Sequence, residues 1–244
     1  MGRLFQRCVG GEVRFYSRHG PMDFGNIGEL YAWADVVILA SSMDATRSQL
    51  KELLEVSMEN PRRVMIFDIA SFKGGIVELY SRFPPEVIVA SVHPMFGPGV
   101  NCFEDQLFLV VPVGDRENDA MEVAAFLESL GARVEFVSSE EHDRLMGFAI
   151  GVPYFLGLKY LELAVEKELE RFGGTSSRFL TIYGKAVLND SQEFIEEVIE
   201  RSMPQIREFI EGLRNVPDVG FLARELDENE IKDAYRRFYR ALEP

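Results

Sequence analysis

Three continuous apolar runs, Val36–Ala40, Arg63–Asp68 and Glu86–Val92, alternate with stretches of helical spacing. A strand that reads apolar throughout is one buried on both faces, as in parallel sheets covered by helices. Thr46 to Met58 places Leu50, Leu53 and Leu54 on one helical face, and Gly75 to Phe83 reads as the next helix. Phe108–Pro112, a helix over Glu117 to Leu130 and Arg133–Val137 continue the pattern, with a short strand expected earlier at Glu12–Tyr16. Strands separated by helices imply right-handed crossovers and a mostly parallel α/β sheet.

The pattern changes after Ser138. From there helices are expected over Glu140 to about Glu170, Ser176 to Leu188, Ser191 to Leu213 and Asn229 to Leu242. Ser139 is positioned to cap the first, and Pro153 to kink or interrupt it. Ala149–Leu158 is apolar nearly all round, which predicts a helix buried on most sides. The expected organisation is therefore two domains. Residues 1–138 form a dinucleotide-binding, Rossmann-like unit, and residues 139–244 an all-helical module serving substrate binding and dimerisation. A dinucleotide-binding unit normally opens with an apolar strand and G-x-G-x-x-G. Here Met1-Gly2-Arg-Leu-Phe matches only the last glycine and the helix after it, so the domain is expected to be incomplete at its N-terminus.

Bulk chemistry narrows the function. A formal net charge of −14 over 244 residues disfavours nucleic-acid backbones as partners. No apolar run approaches the roughly 20 residues of a membrane helix, and the opening residues do not read as a signal peptide. Two cysteines give no disulfide framework and suit a cytoplasmic setting, and nothing has metal-ligand spacing.

The chemistry-bearing residues fall at strand ends. Asp68, Ser71 and Lys73 follow one apolar run, and His93, one of three histidines, ends the next before Pro94-Met-Phe-Gly-Pro98. Carboxyl ends of neighbouring strands are where open α/β sheets bind ligands. Taken alone, Ser71 and Lys73 also read as a helix cap and a solvated cation, and His93 as a loop histidine. At the second strand end, Tyr16-Ser17-Arg18 offers a hydroxyl and a cation where a carboxylate would select NAD, which favours NADP over NAD. Gly2, Ser17, Arg18, Ala40, Ser41 and Ser42 are the expected cofactor contacts.

Asp68-x-x-Ser71-x-Lys73, His93-Pro-Met-Phe-Gly-Pro98 and Glu141-His142-Asp143 at the head of a long helix together resemble the prephenate dehydrogenase family. The resemblance runs from Met1 to roughly Arg207. It implies oxidative decarboxylation of prephenate to 4-hydroxyphenylpyruvate with hydride transfer to NAD(P), in a homodimer. It implies His93 as acceptor of the hydroxyl proton, Ser71 as a hydrogen-bond partner that orients the imidazole or the substrate hydroxyl, and Lys73 as a cation for a carboxylate or for holding the loop. The family places an arginine on the substrate carboxylate before an Asp-rich turn. Gly184–Asp190 carries Lys185 there, with Arg178 able to take over, and Tyr154 stands where some members have a histidine. Two alternatives remain: a dehydrogenase of arogenate or another small carboxylate, and a non-catalytic dimeric remnant that has lost its cofactor site.

Overall fold

The computed structural model describes residues 2–17, 20, 22–97 and 99–242. The chain divides into two compact units, Met1–Asp143 and Arg144–Pro244. The first carries α1 (Gly2–Cys8), α2 (Ile27–Trp33), β1 (Val36–Leu39), α3 (Met43–Glu59), β2 (Val64–Asp68), α4 (Val77–Tyr80), β3 (Val87–Pro94), β4 (Leu107–Val111), α5 (Glu117–Ser129) and β5 (Arg133–Phe136). The sheet is five-stranded in the order β1-β2-β3-β4-β5. Its pairs are parallel except β3 with β4, which run antiparallel with His93 opposite Leu109. Every residue of β3 is buried, as its apolar run requires of a central strand covered on both faces. Phe5, Phe67, Val92, Phe103 and Phe108 share one core cluster, with the rings of Phe5 and Phe103 4.7 Å apart.

The register fixes the functional edge. Leu39 pairs with Asp68, and Asp68 with Ser91, so the carboxyl ends of β1, β2 and β3 lie side by side. His93 is the penultimate residue of β3, inside the strand rather than in the loop beyond it.

The expected strand at Glu12–Tyr16 does not form. β1 is an edge strand. The backbone N–H of Phe15 instead donates to the Asp23 carboxylate at 2.7 Å, and the Phe15 carbonyl accepts the Asp23 N–H at 2.8 Å. A strand needs a neighbour for its backbone groups, and here a side chain supplies one partner.

The second unit is helical: the end of α6 (Ser139–Met146), a π-turn at Gly147–Gly151, α7 (Val152–Glu166), α8 (Thr175–Val187), α9 (Gln192–Arg201), α10 (Met203–Gly212), α11 (Val219–Glu225) and α12 (Glu228–Arg240). The units part between Asp143 and Arg144, beyond the boundary expected at 138, because the first turn of α6 bonds to the sheet unit. Ser138, not Ser139, caps α6: its Oγ accepts the Glu141 N–H at 3.2 Å. Pro153 lies inside the continuous helix Ser139–Glu166, directly after the π-turn, a local widening that accommodates a ring without an N–H. Gly184 lets α8 close on α7, since a Cβ there would stand 2.5 Å from the Gly157 carbonyl oxygen.

The long apolar helix departs from expectation. Ser139–Glu166 is long and apolar enough, by length and composition alone, to cross a bilayer, yet only 28% of its most apolar window is buried. Leu156, Leu163 and Val165 are exposed, the last at 71%. A helix apolar on all sides needs cover all round, and its own unit covers one side only.

Candidate active site

The end of β2 is built around a buried ion pair. Asp68 and Lys73 are both fully buried, with Lys73 Nζ 3.2 Å from Asp68 Oδ1. The same ammonium donates to the carbonyls of Ala70 and Val92, each at 2.7 Å. Asp68 also accepts the Ala70 N–H at 2.9 Å and the Ser91 hydroxyl at 2.5 Å. Lys73 thus ties the loop after β2 to the backbone of β3, one residue before His93. Burial pushes its pKa below the usual lysine value, against the pull of Asp68. Lys73 has no exposed surface, and its side-chain hydrogen bonds run to Asp68, Ala70 and Val92.

His93 is 5% exposed, and its Nδ1 lies 3.0 Å from Nε2 of His142. His142 is fully buried, and its Nδ1 is 2.8 Å from Asp143 Oδ1. Asp143 in turn accepts the backbone N–H groups of Lys73 at 2.8 Å and Gly74 at 2.9 Å. Burial, with Lys73 and His142 nearby, holds the His93 pKa well below the usual histidine value. Burial also lowers His142, with Asp143 opposing. Burial would raise the Asp143 carboxyl, but the bonds from His142 and the two amides outweigh it and hold it low. The imidazole of His93 therefore stays neutral at physiological pH.

Sequence reasoning expected Ser71 to hydrogen-bond that imidazole or the substrate hydroxyl. The imidazole's partner is His142: among the described residues no hydrogen bond joins Ser71 to His93, and Ser71 is half-buried on the loop between Asp68 and Lys73. His142 was legible only as part of the Glu141-His142-Asp143 string. Nothing in that string says that its imidazole reaches a strand tip 49 residues earlier.

At the end of β1, Gly2, Ser17, Ala40, Ser41 and Ser42 line one cleft of about 570 Å³, together with Arg14 and Tyr16. Arg18, the remaining expected cofactor contact, lies outside the described residues. A Cβ on Gly2 would come within 3.1 Å of the Phe15 ring, so the two pack closely at the cleft wall. Ser41 Oγ donates to Gln49 at 2.8 Å, holding the turn between β1 and α3. Arg14, which sequence reasoning did not single out, pairs with Glu12 at 2.8 Å and lies 4.7 Å from the Trp33 ring centroid. Among the described residues lining the cleft there is no carboxylate, and Arg14 is the cation.

The expected substrate residues sit in the helical unit, each already partnered or exposed. Tyr154 donates to Asp190 at 2.6 Å, Lys185 pairs with Glu170, and Arg178 is exposed on α8. Arg178 and Lys185 are seven residues apart on that helix and share one face.

Fold and site define a dinucleotide-binding α/β unit of the dehydrogenase type followed by a helical unit. Residues 24–136 match the family model described as prephenate dehydrogenase, nucleotide-binding domain. Over that stretch the chain carries the nucleotide-binding domain of the prephenate dehydrogenase family. It is 30% identical over 210 residues to a probable arogenate/prephenate dehydrogenase of Methanocaldococcus jannaschii, spanning 77% of this chain and 46% of that protein. It is 27% identical over 210 residues to the T-protein of Enterobacter agglomerans, spanning 82% of this chain and 53% of the relative. The chain thus spans about half the length of the curated relatives it matches. Among solved structures, prephenate dehydrogenase from Aquifex aeolicus superposes with a TM-score of 0.64 at 18% identity, over 91% of this chain and 82% of that one. Synechocystis arogenate dehydrogenase gives 0.59 at 16% identity, over 86% and 82%.

Proposed function

We propose that the chain catalyses the oxidative decarboxylation of prephenate to 4-hydroxyphenylpyruvate. The observation that carries this reading is the buried, neutral imidazole of His93 at the end of β3, on the sheet edge where the β1 cleft also opens. A nicotinamide dinucleotide supplies the hydride acceptor when bound. The ring carbon bearing the 4-hydroxyl loses hydride while the hydroxyl proton passes to His93; loss of carbon dioxide then leaves an aromatic phenolate, whose oxygen takes the proton back from His93. An imidazole must be neutral to take the hydroxyl proton, and burial beside Lys73 favours that form. Ser71 holds the substrate hydroxyl, and Lys73 fixes the loop that carries it.

Gly2, Ser17, Ala40, Ser41 and Ser42, with Arg18, hold the dinucleotide. Ser17 and Arg18, a hydroxyl and a cation following Tyr16, favour NADP over NAD, and no carboxylate is among the described residues lining the cleft. On the helical unit, the cations Arg178 and Lys185 receive a substrate carboxylate once Glu170 is displaced, and Tyr154 adds a hydroxyl. Residues 1–138 serve the dinucleotide and 139–244 the substrate and dimerisation. The exposed apolar side chains of α7 and α8 support a homodimer. The free cysteines Cys8 and Cys102 accord with a cytoplasmic enzyme.

Arogenate is the second reading, favoured by the name of the Methanocaldococcus jannaschii relative. Incubation with NADP+ or NAD+ and each substrate, followed by product analysis, decides. Prephenate yields 4-hydroxyphenylpyruvate and arogenate yields tyrosine. Reduction of neither nucleotide with either substrate overturns the assignment in favour of the non-catalytic remnant.

A further inference from the structure

We infer that His142 and Asp143 are positioning residues that select the tautomer of His93, placing its one proton on Nδ1 and leaving Nε2 bare as the proton acceptor. The inference rests on the reading of His93 as base and deepens it. An ionised carboxylate can only accept. Asp143 Oδ1, already taking the Lys73 N–H, lies 2.8 Å from His142 Nδ1, so that nitrogen carries the proton. A neutral imidazole has one N–H, so His142 Nε2 is bare. That bare nitrogen is 3.0 Å from His93 Nδ1, and two lone pairs cannot share such a contact. His93 Nδ1 therefore donates, and Nε2 is left as the basic nitrogen.

Three features keep this order from reversing. The Asp143 carboxylate is held by the backbone amides of Lys73 and Gly74, so it cannot turn to become a donor. Both imidazoles are buried near the Lys73 cation, which disfavours charging either one. Lys73 itself is held by Asp68 and two carbonyls and offers the rings no hydrogen bond of its own. Once His93 takes a proton at Nε2, its Nδ1–H already points at His142. The chain then ends in a carboxylate that stabilises the new charge. A plain brace for α6 would need no particular tautomer.

The test is nitrogen NMR of the histidine ring nitrogens in the whole chain at neutral pH, with no substrate present. His93 should show a protonated Nδ1 and a bare Nε2, and His142 the same. His142→Leu removes the acceptor, so His93 should become a tautomer mixture and turnover should fall by about 10²-fold. His142→Gln offers a carbonyl at similar reach and should restore both. A native His93 protonated on Nε2, or one unchanged in His142→Leu, overturns the inference, and the native spectrum requires no variant to fold. If the tautomers are as stated but neither substrate is oxidised, the positioning claim stands and the proposed reaction falls.

Discussion

The two sets of expected functional residues behave differently in the structure. Around His93, the side chains of Asp68, Lys73, Ser91, His142 and Asp143 interlock within hydrogen-bond distance and are mostly buried. In the helical unit, Tyr154, Arg178 and Lys185 stand half-buried or exposed, the first and last paired with Asp190 and Glu170. A sheet explains most of the first set: Asp68, Ser91 and His93 lie in strands and Lys73 just past one, while His142 and Asp143 come from the first turn of α6, which bonds to the loop after β2 and to His93. Backbone ladders bring strand ends to one edge, so residues just past each strand converge whatever the rest of the chain does. Helix-borne residues converge only when a further surface brings their faces together. Buried networks also raise the stakes, because a missing partner leaves a charge in low dielectric.

Experiments that sharpen this contrast begin with the buried pair. Lys73→Met leaves the Asp68 carboxylate without its cation, and a loss of roughly 3–5 kcal/mol of stability is expected in urea unfolding. A loss below 1 kcal/mol would mean that the pair is not the anchor of the edge. His93→Asn should lower turnover by about 10²-fold or more while cofactor affinity stays nearly constant. Unchanged turnover would remove His93 from the chemistry.

The pH dependence is next in size. His93 and His142 both have folded-state pKa values below the ordinary histidine value. Between the folded and unfolded values the unfolded chain binds more protons, so stability rises with pH there. The melting temperature should therefore drop as pH falls below about 6.5, the unfolded histidine value. Asp143, held low, adds stability present above about pH 4 and lost on further acidification. A melting temperature flat from pH 7 to 5 would contradict the buried neutral rings. The smallest effect belongs to the helical set. Lys185→Ala should raise the Michaelis constant for prephenate by about fivefold or less, with turnover little changed, as an exposed cation allows. A larger effect on turnover than on the Michaelis constant would place Lys185 closer to the chemistry than its exposure suggests.

Much of the α/β unit was legible because strand burial writes itself into composition. β1, β2, β3 and β4 all fall within or beside apolar runs that the sequence displays, whereas β5, with Arg133 and Glu135, is mostly exposed and shows itself only by its place after α5. Glu12–Tyr16 was misread for the same reason in reverse. Its alternation suits a strand, but a strand exists only beside another. Ser191 to Leu213 reads as one helix, yet it breaks into α9 and α10 at Ser202, just before Pro204. α2 carries too short an apolar signal to stand out, although Asn26 caps it and Ile27 and Tyr31 bury its inner face. At the site, His93 and Lys73 could be placed at strand ends, whereas the roles of Ser71 and His142 could not be distinguished. Hydroxyl and imidazole are both plausible partners for a histidine, and only distance chooses between them.

Local pattern alone determined the α/β unit, the helical half and the strand tips that carry His93, Ser71 and Lys73. These follow from period and composition, which each segment holds without its neighbours. Tertiary structure decided that Lys73 is buried as a clamp and that His142, not Ser71, faces His93. It also decided that Gly2, Ser17 and Ala40–Ser42 share one cleft. Such contacts join residues far apart in the chain, and a hydrogen bond depends on separations of a few tenths of an ångström that no sequence spacing encodes.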